Sequence, residues 1–458
     1  MRVLIISTNR ETLPDPVAPI GAAYVITALR SAGHDARLLD LQFAPDIAVS
    51  VKEAVRTLKP QVVGLSIKNI DNAAFPHSTS YLPEISAVVK MLRALGVRHI
   101  VPGGSGFSVM PAETLRYLGL NVGIVGEGED AFPELLRRMT GGHPVNAMPG
   151  LAYRYKDKFF VNAPRRITHL DVLPEPERAV LDNAMYMSEG GAGNIQTKRG
   201  CAYACIHCPH PAIEGRKVRL RRPALAADEF VRTAKEHGLR HIFIVDNVFN
   251  HPPEHAKEFC RELIARGNTA AWSCYANPAL MDEELAALMV EAGCRGVEFG
   301  TDSAVDGVLA NLKKGFSADD VLRASKICRE AGLSFCHGLL LGAPGETADT
   351  VKRTLDAMDV AAPNAVVAML GLRIYPGTEL AKRAKAEGRL MDEPGTRPCF
   401  YFSQGLEMDK VKELLLRYGR EHANFIMPGI HLRMTDDLRV RLRSAGFTGP
   451  LWEYLSGR

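Results

Sequence analysis

The stretch "KRGCAYACIHCPH", residues 198–210, puts Cys201, Cys205 and Cys208 into one short loop with no fourth cysteine nearby. A structural zinc site usually takes four protein ligands, commonly as two pairs. Here the second pair is missing, although His207 and His210 could complete one. A four-iron cluster normally takes four thiolates. Three leave one iron open to a substrate or cofactor, and spacing and position favour that open cluster over zinc. The other cysteines (Cys260, Cys274, Cys294, Cys328, Cys336 and Cys399) stand singly and read as small buried apolar residues.

Around this loop, "NIQTKRG", "HIFIVDN", "AWSCYAN", "GVEFGTD", "SFCHGLLLG" and "AVVAMLGLRIYPG" read as six strands. Helical stretches between them end at Gly238, Gly267, Gly293 and Gly332, and Ser317 is placed to cap one. Six strand–helix units in series predict an incomplete parallel barrel over residues 191–400. Function in such barrels sits at the carboxyl ends of the strands. The cysteine loop follows the first strand directly.

Upstream, residues 1–145 alternate short apolar runs with amphipathic stretches. That pattern predicts an α/β Rossmann-like, doubly wound parallel sheet. Its strands end in "KNIDN", "GGSGF" and "GEGED". The glycines allow close backbone approach to a ligand, or simply make turns. No G-x-G-x-x-G follows the first strand, which argues against a nicotinamide or flavin site. Residues 146–190 read as a hairpin turning at Lys156 and Asp157, then an extended linker. Residues 401–458 read as helical and are expected to pack against the open side of the barrel. Phe400, Tyr401 and Phe402 line the substrate entrance there or belong to the core.

The chain of 458 residues is 24% charged and 46% hydrophobic with a formal charge of +4, so no nucleic-acid stripe is implied. The densest basic run, "RKVRLRR" at residues 216–222, reads as a loop facing an anionic group or solvent. No targeting segment and no membrane span is visible. Nine cysteines in a large chain without a leader favour thiols or metal ligands in a reducing, cytoplasmic setting.

C-x-x-x-C-x-x-C after the first strand of a partial barrel resembles the signature of radical SAM enzymes. "PDPVAPIGAAYVITALRSAGHDARLLD", "GGSGFSVMPAETL" and "GIVGEGED" are similar to the cobalamin (B12)-binding domain that precedes the barrel in one subgroup. "IKNIDN", "GGSGF" and "IEGRKVRL" resemble a branch of lipid biosynthesis, including ladderane-type clusters. The resemblance implies a 4Fe–4S cluster on Cys201, Cys205 and Cys208, with S-adenosylmethionine (SAM) on the open iron. Reductive cleavage of SAM would then functionalise an unactivated carbon.

It also implies roles for other residues. His207 takes the place of the usual aromatic at the adenine. Asp246, Asn247 and Phe249 stand where a strand-end segment holds the methionyl amine through its backbone. Glu298 would bind ribose or pair with a nearby cation. Gly342 would approach the adenosine. Arg373 would bind the SAM carboxylate or a substrate acid, or form an internal ion pair. Lys68, Asn69, Gly103, Gly104, Ser105, Gly106, Gly126 and Glu127 would border cobalamin.

The D-x-H-x-x-G motif is absent, so no imidazole is expected on cobalt, and Lys68 or Asn69 should lie near its lower face. C-methylation is the favoured outcome. A radical cyclase or rearrangement enzyme is the alternative, and a non-catalytic redox or cobalamin-sensing module is the reading from another class. The expected partners are a small-molecule or lipid-like substrate and a reductant such as ferredoxin or flavodoxin.

Overall fold

In "RVLIIS" the residues Val3 to Ile6 are buried on both faces, as the centre of a covered parallel sheet demands. This strand, β1 (Arg2–Ser7), is flanked by β2 (Asp35–Asp40), β3 (Val62–Ser66) and β4 (His99–Gly103) in the order β2-β1-β3-β4, all parallel. The helices Ile20–Ser31 and Gly128–Gly141 pack on one face. Ile47–Leu58 and Leu82–Ala94 pack on the other. The computed structural model describes residues 1–391 and 395–454.

One strand departs from expectation. "VGI" forms β5 (Val122–Ile124), but it pairs antiparallel with β6 (Leu151–Tyr155), whose hairpin partner is β7 (Lys158–Val161). It therefore belongs to a separate three-stranded sheet rather than to the parallel one. The hairpin turns at Lys156, which adopts φ +54°, and Asp157.

The second sheet begins at β8 (Gly193–Ile195), followed by the short pair β9 (Lys198–Arg199) and β10 (Arg219–Leu220). Then come β11 (His241–Ile244), β12 (Ala271–Ala276), β13 (Cys294–Asp302), β14 (Ser334–Leu341) and β15 (Ala365–Leu370). A small antiparallel pair follows, β16 (Leu372–Arg373) with β17 (Phe400–Tyr401). The sequence pattern shows six barrel strands. The structure adds a seventh, β18 (Phe425–Ile426), parallel to β15, giving the order β18-β15-β14-β13-β12-β11-β8. Two residues are too few to leave an alternating pattern.

Helix ends behave as their residues dictate. Gly238 takes the left-handed conformation after Pro223–His237, and Ser317 with Asp320 forms a capping box at Ala318–Glu330. The C-terminal stretch bridges the open side of the sheet. Arg433 donates to the Phe425 carbonyl in β18, while Arg439 and Arg443 donate to the Glu189 and Gly190 carbonyls just before β8.

Buried ion pairs join the two layers. Arg373 Nε lies 3.0 Å from Asp71, Arg443 Nη2 2.6 Å from Asp15, Arg199 Nη2 2.6 Å from Glu129 and Arg219 Nη1 2.6 Å from Glu127. The basic run at 216–222 is thus partly interior, with Arg219 on Glu127 and Arg221 on Glu229. Phe400 and Phe402 stack edge-on against Phe75 of the first layer and Tyr401 is buried. This aromatic run cements the interface and does not line the cavity described below.

Candidate active site

The cysteine loop is held by its backbone. Gly200, at φ +96°, passes so close to the Lys217 carbonyl that a Cβ would collide with it. Cys201 N–H donates to Gly215 O (3.0 Å), Ile206 N–H to Leu312 O (3.1 Å) and Cys208 N–H to Cys205 O (3.3 Å). All three thiols are free and half-buried. Burial raises the pKa of each, that of Cys208 to about 12. The protein alone therefore gives the thiolates little support, and the positive charge of iron would supply it. Among the described residues no three His, Cys, Asp or Glu side chains meet as ligands of a single ion do. His207 adds a buried Nδ1 without a hydrogen-bond partner beside the loop.

The carboxyl end of β13 faces the same loop through a residue the sequence reading passed over. Asp302, at φ +64°, accepts from Lys314 Nζ (2.7 Å) and lies 3.7 Å from His207 Nε2. Burial lowers the pKa of His207, which keeps its ring neutral. Glu298, expected at the ribose, sits four residues earlier on the strand and faces the barrel interior instead. Its Oε1 accepts from Trp452 Nε1 at 3.0 Å.

The "VDNVF" segment divides. The Asp246 carboxylate is fully buried and turned away, accepting from Thr197 N–H (2.7 Å), Lys198 N–H (3.1 Å) and the Thr197 hydroxyl. Only its backbone is left to meet a ligand. Asn247 Nδ2 donates to Glu214, at the end of the helix that follows the cysteines. Phe249 is fully buried against Phe259 and Trp272, so its side chain is core and not a cofactor contact. In the β14 loop, Gly342 at φ +108° and Ala343 donate their N–H groups to Glu346. Burial raises Glu346 to about 7, and its Oε1 has no partner. Neither Glu346 nor Asp302 was singled out from sequence. Arg373 is committed to Asp71 and forms the internal ion pair.

The N-terminal loops gather at one edge. Gly104 and Gly106 press on the backbone of Ile67 and Lys68, where a Cβ would come within 2.6 and 2.8 Å, and Ser105 Oγ donates to Lys68 O. Asn69 leans towards Asn9. Ser108 Oγ accepts from Gly126 N–H. The Glu127 carboxylate is spent on Arg219 and the Ile167 N–H, so it ties the layers rather than a ligand.

Two cavities open here. One of about 340 Å³ lies at the ends of β1, β3 and β4, walled by Gly104, Ser105 and Gly128 with Ser7, Asn9 and Ser66 as polar groups. The small residues and the hydroxyl and amide groups suit a large ligand rich in amides, as cobalamin is. The other, of about 660 Å³, runs from the Lys68–Asn69 loop past Pro209 and His210 into the barrel. Lys68, Ser105, Asn194, His210, Ile213 and Val245 border both. Enclosure by protein lowers the Lys68 pKa to about 8. His210 was weighed in sequence only as a zinc ligand.

A model of the radical SAM superfamily matches residues 195–358, and one of the B12 binding domain matches residues 6–136. The chain belongs to the cobalamin-binding radical SAM family. Its cofactors are accordingly a 4Fe–4S cluster, SAM and cobalamin. It is 28% identical over 440 residues to the tryptophan 2-C-methyltransferase of Streptomyces laurentii, covering 82% of this chain and 73% of the relative. It is 26% identical over 404 residues to an uncharacterised methyltransferase of Pyrococcus horikoshii, covering 85% and 84%. The fold matches that of the radical SAM methyltransferase TsrM from Kitasatospora setae, solved with cobalamin and a 4Fe–4S cluster. The TM-score is 0.86 at 26% identity, over 100% of this chain and 97% of that one. These relatives correct the expected lipid-biosynthesis branch: they are methyltransferases. No helix among the described residues is long and apolar enough to cross a membrane.

Proposed function

We propose that the enzyme C-methylates a small-molecule substrate held inside the barrel. The observation that carries this reading is the 660 Å³ cavity, which borders the N-terminal loops, the cysteine loop and the barrel interior together. A substrate there would lie between the N-terminal loops and the residues just after the cysteines, and positioning of that kind lets reaction outrun escape. When bound, the cluster supplies an electron and an open iron for SAM, and cobalamin carries a methyl group. Cys201, Cys205 and Cys208 would hold the cluster. Asp302, fixed by Lys314, would face the SAM ribose, and the backbone of Asp246 and Gly342 would border SAM. Lys68 or Asn69 would stand near the cobalt face.

The methyltransferase relatives support methylation. A cyclase reading draws on anaerobic magnesium-protoporphyrin IX monomethyl ester cyclases, one from Rubrivivax gelatinosus being 25% identical over 377 residues. We further propose a small reductant such as ferredoxin or flavodoxin, and a reducing compartment in keeping with nine free cysteines. The test follows a deuterated SAM methyl in the reconstituted, reduced enzyme. Label in a carbon-methylated product supports the reading. A product that lacks the label and has a new ring gives the cyclase.

A further inference from the structure

At the interior end of the large cavity, Glu298 has no cation beside it among the described residues. Glu298 is in contact with the cavity, and its only polar partner among the described residues is the Trp452 indole N–H. The walls near it are the apolar Phe243, Val367 and Ile426, with the Tyr275 phenol also close to the carboxylate. Of the cations bordering the same space, Arg439 pairs with Glu189 and Asp436, and Arg433 donates to the Phe425 and Gly419 carbonyls and not to Glu298. Arg443, just behind, is held by Asp15. Lys68 and His210 belong to the loops at the mouth.

Trp452 does not explain the charge, because a neutral amide oxygen would accept its N–H equally well. A carboxylate enclosed among apolar walls is costly unless a cation meets it. Burial raises Glu298 to about 7, so a ligand's cation beside it would draw it into its charged form. The position is complete for a ligand's cation and for little else.

We propose that Glu298 receives an ammonium group of the substrate, so that this enzyme methylates an amine-bearing compound rather than an apolar lipid or a simple acid. The proposal rests on the reading that the barrel cavity is the substrate site. Glu298 is here a specificity-determining residue, and no bond to it forms or breaks.

The experiment uses enzyme reconstituted with cluster and hydroxocobalamin, and titrates benzylamine, benzyl alcohol and benzoate by calorimetry at pH 8. Benzylamine should bind about tenfold tighter than benzyl alcohol, with benzoate weakest, as a charge-assisted hydrogen bond implies. Glu298→Gln should bring amine and alcohol within about twofold while keeping SAM and cobalamin, and Glu298→Asp should keep the amine preference. Equal binding of amine and alcohol by wild type, no measurable binding of the amine, or an unchanged preference in Glu298→Gln overturns the proposal. Loss of SAM from Glu298→Gln, with the amine preference kept, would assign the carboxylate to SAM and overturn it equally. Should Glu298→Gln fail to fold, the wild-type ranking decides alone. Failure of methyl transfer is read separately from the SAM label, so it strikes the methyltransferase reading and leaves this ranking standing.

Discussion

Asp302 and Glu298 share one strand, and their fates diverge completely. Asp302 lies at the carboxyl end of β13 with Lys314 at 2.7 Å and His207 at 3.7 Å. Glu298 lies deeper and has one indole N–H. Both are carboxylates on the same strand; the element that covers each differs. Lys314 comes from twelve residues further along the chain, and Trp452 from 154 residues away. A carboxylate matched by a cation becomes a fixed part of the site wall. One without a match remains an unfilled demand on whatever enters the cavity.

The largest expected effect concerns the loop that Asp302 faces. Replacing Cys201, Cys205 and Cys208 together by Ala should remove the brown absorbance and all of the roughly four irons per chain that such a cluster holds. Iron retained by that variant, or stoichiometric zinc in the anaerobic wild type, would break the assignment. Next, Lys314→Met leaves Asp302 buried beside a neutral imidazole. Breaking one side of a buried pair costs about 3–5 kcal/mol, measurable by guanidinium unfolding of the iron-free chain. A loss under about 1 kcal/mol, the level of an exposed pair, would show that Asp302 is solvated and that the contrast is overstated.

Glu298→Gln should act in the opposite direction. Burial raises the folded pKa of Glu298 to about 7 from its ordinary value of 4.5, so the folded state holds its proton where the unfolded state has lost it. Wild-type stability from this group is full below pH 4.5 and falls as pH rises to 7. The variant has no such loss. It should match wild type near pH 4 and exceed it at pH 8 by at most about 3 kcal/mol. A deficit at pH 8 would mean that the charge has a partner in solution. The smallest effect is that of Trp452→Phe, which removes one hydrogen bond to Glu298 and should cost about 1–2 kcal/mol at pH 8. No change in unfolding would remove the indole from the description of Glu298.

The barrel and the cysteine loop were legible because their signals are local: thiol spacing, glycines at helix ends, a serine cap and apolar strand runs. The seventh strand was not, since Phe425–Ile426 is too short to show a period. The sequence places the thiols and the glycine loops at strand ends, and the structure has them there. It was misread at Glu298, because "GVEFGTDS" offers two acids and alternation does not say which one reaches the mouth. Asp302 carried a usable clue in its place directly before Ser303, at the last residue of the strand. The side chains of Phe249 and Asp246 turn inward for a related reason, leaving the backbone of that segment to meet a ligand. Their burial comes from Trp272 and Thr197, and neither contact is visible in the segment itself. Arg373 found its partner 302 residues away in Asp71.

Such long separations bear on how the chain reaches its fold. Asp15 meets Arg443 across 428 positions and Asp71 meets Arg373 across 302. Each closes a very large loop for a single contact, and loops of that size form late. Until the second layer arrives, the first carries carboxylates prepared for guanidinium groups that are still unfolded. Neither half is therefore a natural unit for expression by itself. Cutting between the layers exposes two surfaces whose charges were chosen for each other, and the two are expected to melt together as one cooperative body.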